Sequence, residues 1–333
     1  IALPEVEIDQ DPAVTLGNLF TRQNVQHFFN GDFNGQFFRL PKLFHGSLYS
    51  ESRFRFFDEV DLPGRPEARP YLLFKVSKEN MEHILEILCK LPGSSQFIAA
   101  PKGVGKSFTS YFITCLLIGV HRNYAQCLEA KNSNEIQLWQ QTKLSRLLTR
   151  FPIYASNPKR KLDTFAEIIL FCRKFYSHLG NLLCSSEIPA ELTTCSGILP
   201  QNPVEIFLRK LSSYSEYIVI IVDQVDNMYE SIGPNAANEF LGDFIDVFKG
   251  VVSASSNLEI FISPLPAISK LARIQAPIFQ FDDEDLFELF QISLNQKFNQ
   301  IVSQMNFNVN EVELIKEHLN EAVCGIASNI DLF

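Results

Sequence analysis

The sequence has 333 residues and lacks the signatures of several classes of protein. Its seven cysteines include no C-x-x-C pair, which leaves no basis for predicting a zinc site or a disulfide framework. We therefore expect reduced thiols in an intracellular protein, in the nucleus or the cytoplasm. The longest apolar run, at residues 111–120, is far shorter than the roughly 20 residues that a membrane span needs, so no membrane association is predicted.

The chain also lacks an excess of positive charge, since its 29 Lys and Arg are outnumbered by 38 Asp and Glu and the formal net charge is −9. This acidic balance argues against electrostatic binding of nucleic acid by the whole surface, although a local basic patch leaves such binding open. The cluster NPKRK at 157–161 fits a solvated loop better than a nucleic-acid contact or a localisation signal. No signal segment opens the chain, and because Ile1 stands first in place of Met we expect a fragment or a processed form.

Phenylalanine, in contrast, is abundant, and 13 of its 30 copies lie in the N-terminal third. We predict an irregular, Phe-rich extension over residues 1–70, because the rings are interleaved with Asn and Gly turn signals and residues 61–70 hold three prolines. Packing against the neighbouring domain is the favoured role of these rings. A stacking surface for a base or a partner is the alternative, and we predict that a protein partner binds through this region.

From residue 71 the pattern becomes that of an α/β domain, which we place at 71–295, followed by a helical segment at 296–333. Continuous apolar strands that alternate with helices indicate a mostly parallel sheet covered by helices on both faces. The predicted strands fall at 71–76, 96–100, 124–130, 216–226, 257–266 and 276–281. The predicted helices fall at 77–91, 106–118, 135–150, 162–180, 203–214 and 237–252.

The stretch FIAAPKGVGKSF at 97–108 has the pattern of a phosphate-binding loop, G-x-x-x-x-G-K-[ST], with Ala100 at the first glycine position. Small residues let backbone N–H groups point at an anion, the helix that follows adds its dipole, and the Lys reaches the phosphates. Alanine tolerates the first position if its φ stays negative. The predicted nucleotide-binding residues are Ala100, Gly103, Val104, Gly105, Lys106, Ser107 and Phe108.

A second motif follows the apolar run YIVIIV, which ends in Asp223. A carboxylate at the end of a strand beside a phosphate loop can bind Mg²⁺, and we predict that Asp223 and the hydroxyl of Ser107 are its ligands. Many ATPases have Glu directly after this Asp, whereas this chain has Gln224, which can orient water but is a poor general base. Asp226 is a candidate substitute. The motif therefore supports nucleotide binding better than fast hydrolysis.

A third candidate position is Ser263, which is predicted to end the strand at 257–266 and to sense the γ-phosphate. We thus predict catalytic roles for Gln224, Asp226 and Ser263. Downstream, Lys270 and Arg273 fit an ordinary surface helix, and a role in offering positive charge to the phosphates is the alternative.

Taken together, these motifs resemble those of additional-strand P-loop NTPases of the AAA+ and STAND kind, over residues 71–295. The segments DQVDN and ISPLP resemble the STAND pattern, although Asn227 stands where that pattern has Glu. The segment before the loop, YLLFKVSKENMEHILEILCK, together with KGVGKSFTSYFITCLL, is similar to the ATPase module of Crinkler-type effectors and retrotransposon hot spot proteins. The resemblance implies phosphate binding by Gly103, Gly105, Lys106 and Ser107, and metal binding by Asp223.

Motifs and resemblance predict a protein that binds ATP, or another nucleoside triphosphate, with Mg²⁺ and hydrolyses it slowly as a switch or an assembly module. The first alternative is a nucleotide-bound structural subunit of a larger assembly, without turnover. Mitochondrial ribosomal GTP-binding proteins offer a comparison, but the chain has no N-K-x-D guanine motif. The second alternative is an effector-type NTPase that acts on nucleic acid, for which steep salt dependence of DNA binding is the expected sign.

Overall fold

A computed structural model describes seven α-helices and seven β-strands of this chain, together with two short 3₁₀ helices. The described residues are 11–43, 71–91, 93–100, 105–155, 168, 171–172, 174–176, 215–247, 249–255 and 272–275. The helices are α1 (Pro12–Leu19), α2 (Arg22–Asn30), α3 (Lys78–Lys90), α4 (Lys106–Glu129), α5 (Ser133–Gln140), α6 (Asp226–Ile232) and α7 (Pro234–Val247). The strands are β1 (Phe37–Pro41), β2 (Tyr71–Lys75), β3 (Gln96–Ala100), β4 (Phe151–Ala155), β5 (Ile218–Val222), β6 (Lys249–Ser255) and β7 (Ala272–Gln275).

The centre of the fold is a parallel sheet of five strands in the order β4-β5-β6-β3-β7. The predictions of an α/β fold with a mostly parallel sheet, and of strands at 96–100 and within 216–226, are therefore confirmed. Helix α4 contacts four of these strands, β3 to β6, and α7 contacts β6. Because parallel strands end at the same edge, the residues after β3 and after β5 lie on one side of the sheet.

The N-terminal segment is regular, so the prediction that residues 1–70 are irregular is wrong for its described part. The side chains of Asp11 and Thr21 cap α1 and α2 by accepting hydrogen bonds from backbone N–H groups. These N–H groups of the first helical turn have no acceptor within the helix. Strand β1 pairs antiparallel with β2, and Phe38 stands opposite Phe74 in a sheet of two strands. Residues on the two sides of the predicted boundary at residue 70 are therefore paired in one sheet. The predicted domain boundaries stay predictions.

Aromatic packing joins this N-terminal segment to α4. The ring of Phe112 contacts four other Phe rings, with centroids 4.9 to 6.0 Å away, and all five side chains are buried. These four are Phe20, Phe28, Phe38 and Phe74. Among the Phe residues of the N-terminal segment, Phe20, Phe28 and Phe38 thus pack against α4, in keeping with the favoured of the two predicted roles.

Two predicted segments of secondary structure are wrong. Residues 124–130 lie at the end of the 24-residue helix α4 instead of in a strand, because no Gly or Pro interrupts the helix there. The helix predicted at 237–252 ends earlier, and β6 begins at Lys249. A Cβ on Gly250 would lie 2.0 Å from the carbonyl oxygen of Ile220, so only glycine lets β6 approach β5 so closely.

Other predicted segments are shorter, shifted or missed. The helix at 135–150 is α5 plus a short 3₁₀ turn at Ser145–Leu147, and β4 was not predicted. Arg273 lies in β7, opposite Phe97 of β3, so its assignment to a surface helix is wrong. In the segment 162–180 the described residues 168, 171, 172, 174 and 175 are helical. The segments 203–214, 257–266, 276–281 and 296–333 lie outside the described residues.

Coverage of both sheet faces by helices stays a prediction. Within the part of the chain that the structure describes, no helix has the length and apolarity that crossing a membrane requires.

Candidate functional site

The first turn of α4 begins at the edge of the sheet where β3 ends. Gly105 is the N-cap residue, and its φ of 93° and ψ of 12° lie in the left-handed region that favours glycine. The N–H groups of a first helical turn have no acceptor inside their own helix and point along its axis, where the dipole favours an anion. Ala100 is the last residue of β3, and Gly103 and Val104 lie outside the described residues.

Lys106 is the first residue of α4 and is half-buried. Burial lowers the pKa of Lys106 below its ordinary value, whereas the negative charges of Asp223 and Asp226 act in the opposite direction. The ammonium group therefore lies within electrostatic range of both carboxylates of the second motif. A lysine ammonium group that is partly desolvated attracts phosphate oxygens more strongly than one in bulk water.

Asp223 directly follows β5, a strand whose five residues are all buried. Asp223 is only 1% exposed. Its Oδ2 accepts a hydrogen bond from the hydroxyl of Tyr154 at 3.3 Å, and its backbone N–H donates to the carbonyl of Ala155 at 2.9 Å. A carboxylate so removed from water has a high desolvation cost, which its charge interaction with Lys106 partly offsets.

Gln224 joins the two motifs directly. Its Nε2 donates to Oγ of Ser107 at 3.4 Å, across 117 positions of sequence. Its Oε1 accepts a hydrogen bond from Nδ2 of Asn227 at 3.1 Å, so the amide nitrogen faces Ser107 of α4 and the amide oxygen faces α6. The backbone φ of Gln224 is +56°, a left-handed conformation that is costly for a residue with a side chain. Such conformations concentrate at functional sites.

Asp226 is the first residue of α6 and the second acid near Lys106. Its Oδ1 is buried and has no hydrogen-bond partner. Buried carboxylate oxygens normally accept hydrogen bonds, so this atom has an unused capacity to accept one from a water or a ligand hydroxyl. This oxygen can therefore accept a hydrogen bond, whereas the amide nitrogen of Gln224 can only donate one.

The oxygen ligands at this edge suit Mg²⁺, since the hydroxyl of Ser107 and the carboxylate of Asp223 are of the type that this ion prefers. Among the described residues, no group of three or more His, Cys, Asp or Glu side chains is arranged to hold a metal. Mg²⁺ in proteins commonly has one or two carboxylate ligands and completes its shell with water and phosphate. When bound, Mg²⁺ would neutralise charge on phosphate oxygens.

The structure brings together Lys106, Ser107, Asp223, Gln224 and Asp226 of the predicted site. The half-buried Phe108 contacts the ring of Phe74, with centroids 6.3 Å apart, and its role in cofactor binding stays a prediction. Ser263 lies outside the described residues, so its catalytic role also stays a prediction.

Two residues of the site, Asn227 and Tyr154, are not among those predicted from the sequence. Asn227 stands inside the quoted segment DQVDN, and its position three residues after Gln224 is the signal that could have revealed it. Tyr154 lies on β4, a strand that is not predicted from the sequence. No sequence pattern therefore links Tyr154 to Asp223.

Comparisons of the chain with protein-family models, with curated proteins and with solved structures found no match.

Proposed function

We propose that this chain binds a nucleoside triphosphate, with ATP as the first candidate, together with Mg²⁺ in the manner of an additional-strand P-loop protein. The observation that carries the proposal is the hydrogen bond between Gln224 and Ser107, at 3.4 Å. This bond joins Gln224, which follows Asp223 after β5, to the hydroxyl of Ser107 in the predicted phosphate-binding motif. The motif that contains Ser107 and the motif that contains Asp223 and Gln224 are therefore in contact.

The order of the strands supports the same proposal. Strand β6 lies between β3, which leads into the loop, and β5, which leads into Asp223. An additional strand between these two is the feature after which this class of P-loop protein is named. Because the pairing is parallel throughout, Ala100 at the end of β3 and Asp223 after β5 lie at the same edge of the sheet, which supports the proposal.

Hydrolysis, if it occurs, is proposed to be slow. The amide of Gln224 has its oxygen engaged by Asn227 and presents its nitrogen, a donor, towards Ser107. A donor cannot accept a proton from an attacking water. Asp226, with one oxygen that has no hydrogen-bond partner, is the residue proposed to act as a base.

Titration calorimetry with ATP and Mg²⁺ tests nucleotide binding. In Lys106→Ala we expect affinity to fall by about 10- to 100-fold, since a hydrogen bond to a charged group contributes roughly 1.5 to 3 kcal/mol. Lys143→Ala, at an exposed position of the same chain, is the matched control and should bind as the wild type does. Equal weak binding by the wild type and by Lys106→Ala would contradict the proposal.

A nucleotide-bound structural subunit is the second candidate function, and the orientation of the Gln224 amide favours it. Single-turnover hydrolysis with excess protein separates it from a slow ATPase. Turnover above background that Asp226→Asn abolishes would exclude the structural role. Tight binding without turnover in both proteins would support it. The narrower resemblance to Crinkler-type and retrotransposon hot spot proteins stays a prediction.

A further inference from the structure

Tyr154 lies beside the proposed metal-binding carboxylate, although no motif in the sequence marks it. We infer that Tyr154 is a positioning residue: its hydroxyl holds the carboxylate of Asp223 in one orientation and so determines how that carboxylate meets the metal. The inference rests on the proposed function, because it concerns the Mg²⁺ of the same site.

The position of Tyr154 follows from the pairing of β4 with β5. Tyr154 stands opposite Ile221 in this parallel ladder, and Ala155 stands opposite Val222. The ladder continues one step further, since the N–H of Asp223 donates to the carbonyl of Ala155. The backbone of Asp223 is thus held by β4, while the hydroxyl of Tyr154, 3.3 Å from Oδ2, holds its side chain.

The ring of Tyr154 has little freedom to move. It is 1% exposed and meets the ring of Tyr111 edge to face, with centroids 5.9 Å apart and an interplanar angle of 84°. Tyr111 is itself held at its hydroxyl, which donates to the carbonyl of Pro41 and accepts from the N–H of Leu43, both at 2.8 Å. Tyr111 is therefore fixed at its hydroxyl and packs against the ring of Tyr154. Because the ring of Tyr154 is already held in one rotamer, it can orient the carboxylate of Asp223 without a further loss of side-chain entropy.

The length of the hydrogen bond also fits a positioning role. At 3.3 Å it is longer than the usual 2.7 to 2.8 Å of a hydroxyl hydrogen bond. A weak donor directs the carboxylate but leaves most of its negative charge available for a cation. Partners that orient metal ligands typically affect metal affinity by about 10- to 100-fold when they are removed, and a long bond places Tyr154 at the lower end.

The test compares nucleotide affinity with and without metal in the 333-residue chain. Calorimetry with ATP in EDTA measures phosphate binding by the loop alone, and a titration of Mg²⁺ at fixed ATP measures the contribution of the metal. In Tyr154→Phe we expect unchanged affinity in EDTA and an about tenfold higher Mg²⁺ concentration at half-saturation. Tyr176→Phe is the control, since it removes a buried hydroxyl without a hydrogen-bond partner and should behave as the wild type.

Each outcome separates this inference from the proposed function. If the wild type binds no ATP in either buffer, the proposed function fails. If the wild type binds with a clear gain from Mg²⁺ and Tyr154→Phe shows the same gain, only the inference is overturned. Equal losses in EDTA and in Mg²⁺, or a variant that does not fold, would mean that the hydroxyl is structural, which also overturns it.

A double-mutant cycle with Asp223→Asn completes the test. If Tyr154 acts through Asp223, Tyr154→Phe should have no further effect on Mg²⁺ dependence in the Asp223→Asn background. Additive effects of the two substitutions would place the influence of Tyr154 elsewhere and contradict the inference.

Discussion

The first turn of α4 and the remainder of the same helix differ in what they bury. In the first turn, Lys106 interacts with two carboxylates and Ser107 accepts a hydrogen bond from Gln224. From residue 109 to residue 120 every side chain is buried, and Phe112 lies at the centre of the aromatic cluster. One helix therefore begins in the candidate site and continues through the core.

This difference separates residues that stabilise the fold from residues that bind. Burial of aromatic side chains stabilises the folded state. Desolvation of charged side chains and the left-handed backbone of Gln224 both cost free energy of folding. Local features that oppose stability are expected where a site has been built. Substitutions in the body of α4 should thus lower stability, and substitutions in its first turn should lower binding.

The largest expected effect is on stability and follows from Phe112→Ala. Because Phe112 is fully buried among four Phe rings, we expect the free energy of unfolding to fall by about 3 to 5 kcal/mol. Urea denaturation measures the change, with Tyr217→Ala, at a side chain that is 50% exposed, as the control. A loss below about 1 kcal/mol, or a loss of ATP affinity in the folded variant, would break the comparison.

A smaller effect is expected from pH at His121, in the body of α4. Burial lowers the pKa of His121 to about 4, and its ring lies 4.3 Å from that of Phe151. The unfolded chain takes up this proton near pH 6.5, so the stabilising contribution of the neutral ring is present above that pH and is lost as pH falls towards 4.

Denaturation of the wild type and of His121→Phe at several pH values measures this contribution. Between pH 7 and pH 4.5 we expect the wild type to lose about 2 kcal/mol more than the variant, a figure reduced for the partial exposure of the ring. Parallel pH curves for the two proteins would show that His121 is not kept neutral by the fold.

The smallest effect is expected at the two left-handed residues. Lys131, just after α4, has a φ of +53°, and Gln224 in the site has a φ of +56°. Lys131→Gly should raise the free energy of unfolding by about 0.5 kcal/mol, because its side chain is exposed and the relief of strain exceeds the added conformational entropy of glycine in the unfolded chain.

Gln224→Gly relieves the same backbone strain but loses the contacts with Ser107 and Asn227, so we expect little net gain. Thermal melts of the two variants, side by side, measure the difference. A larger gain at Gln224 than at Lys131 would mean that the two side-chain contacts contribute nothing to the fold.

The predictions from sequence succeeded where the signal was short in range. The strand β3 and the helix α4 flank the loop as expected, and the apolar run before Asp223 forms β5. They failed where a short apolar run can form either a helix or a strand, as at residues 124–130 and 249–255. There the choice depends on neighbours distant in sequence, such as the carbonyl of Ile220 that approaches Gly250.

The sequence alone determined the chemistry that this protein has available: a glycine loop with Lys106 and Ser107, and an acidic segment after an apolar strand. Both are local, because consecutive residues on a strand, a turn and a helix start have their relative positions set by backbone geometry. Only the tertiary structure decided which of these residues meet. The contact of Gln224 with Ser107 and that of Tyr154 with Asp223 depend on the strand order and on a common sheet edge. Packing between distant segments decides that order, and no local pattern encodes it.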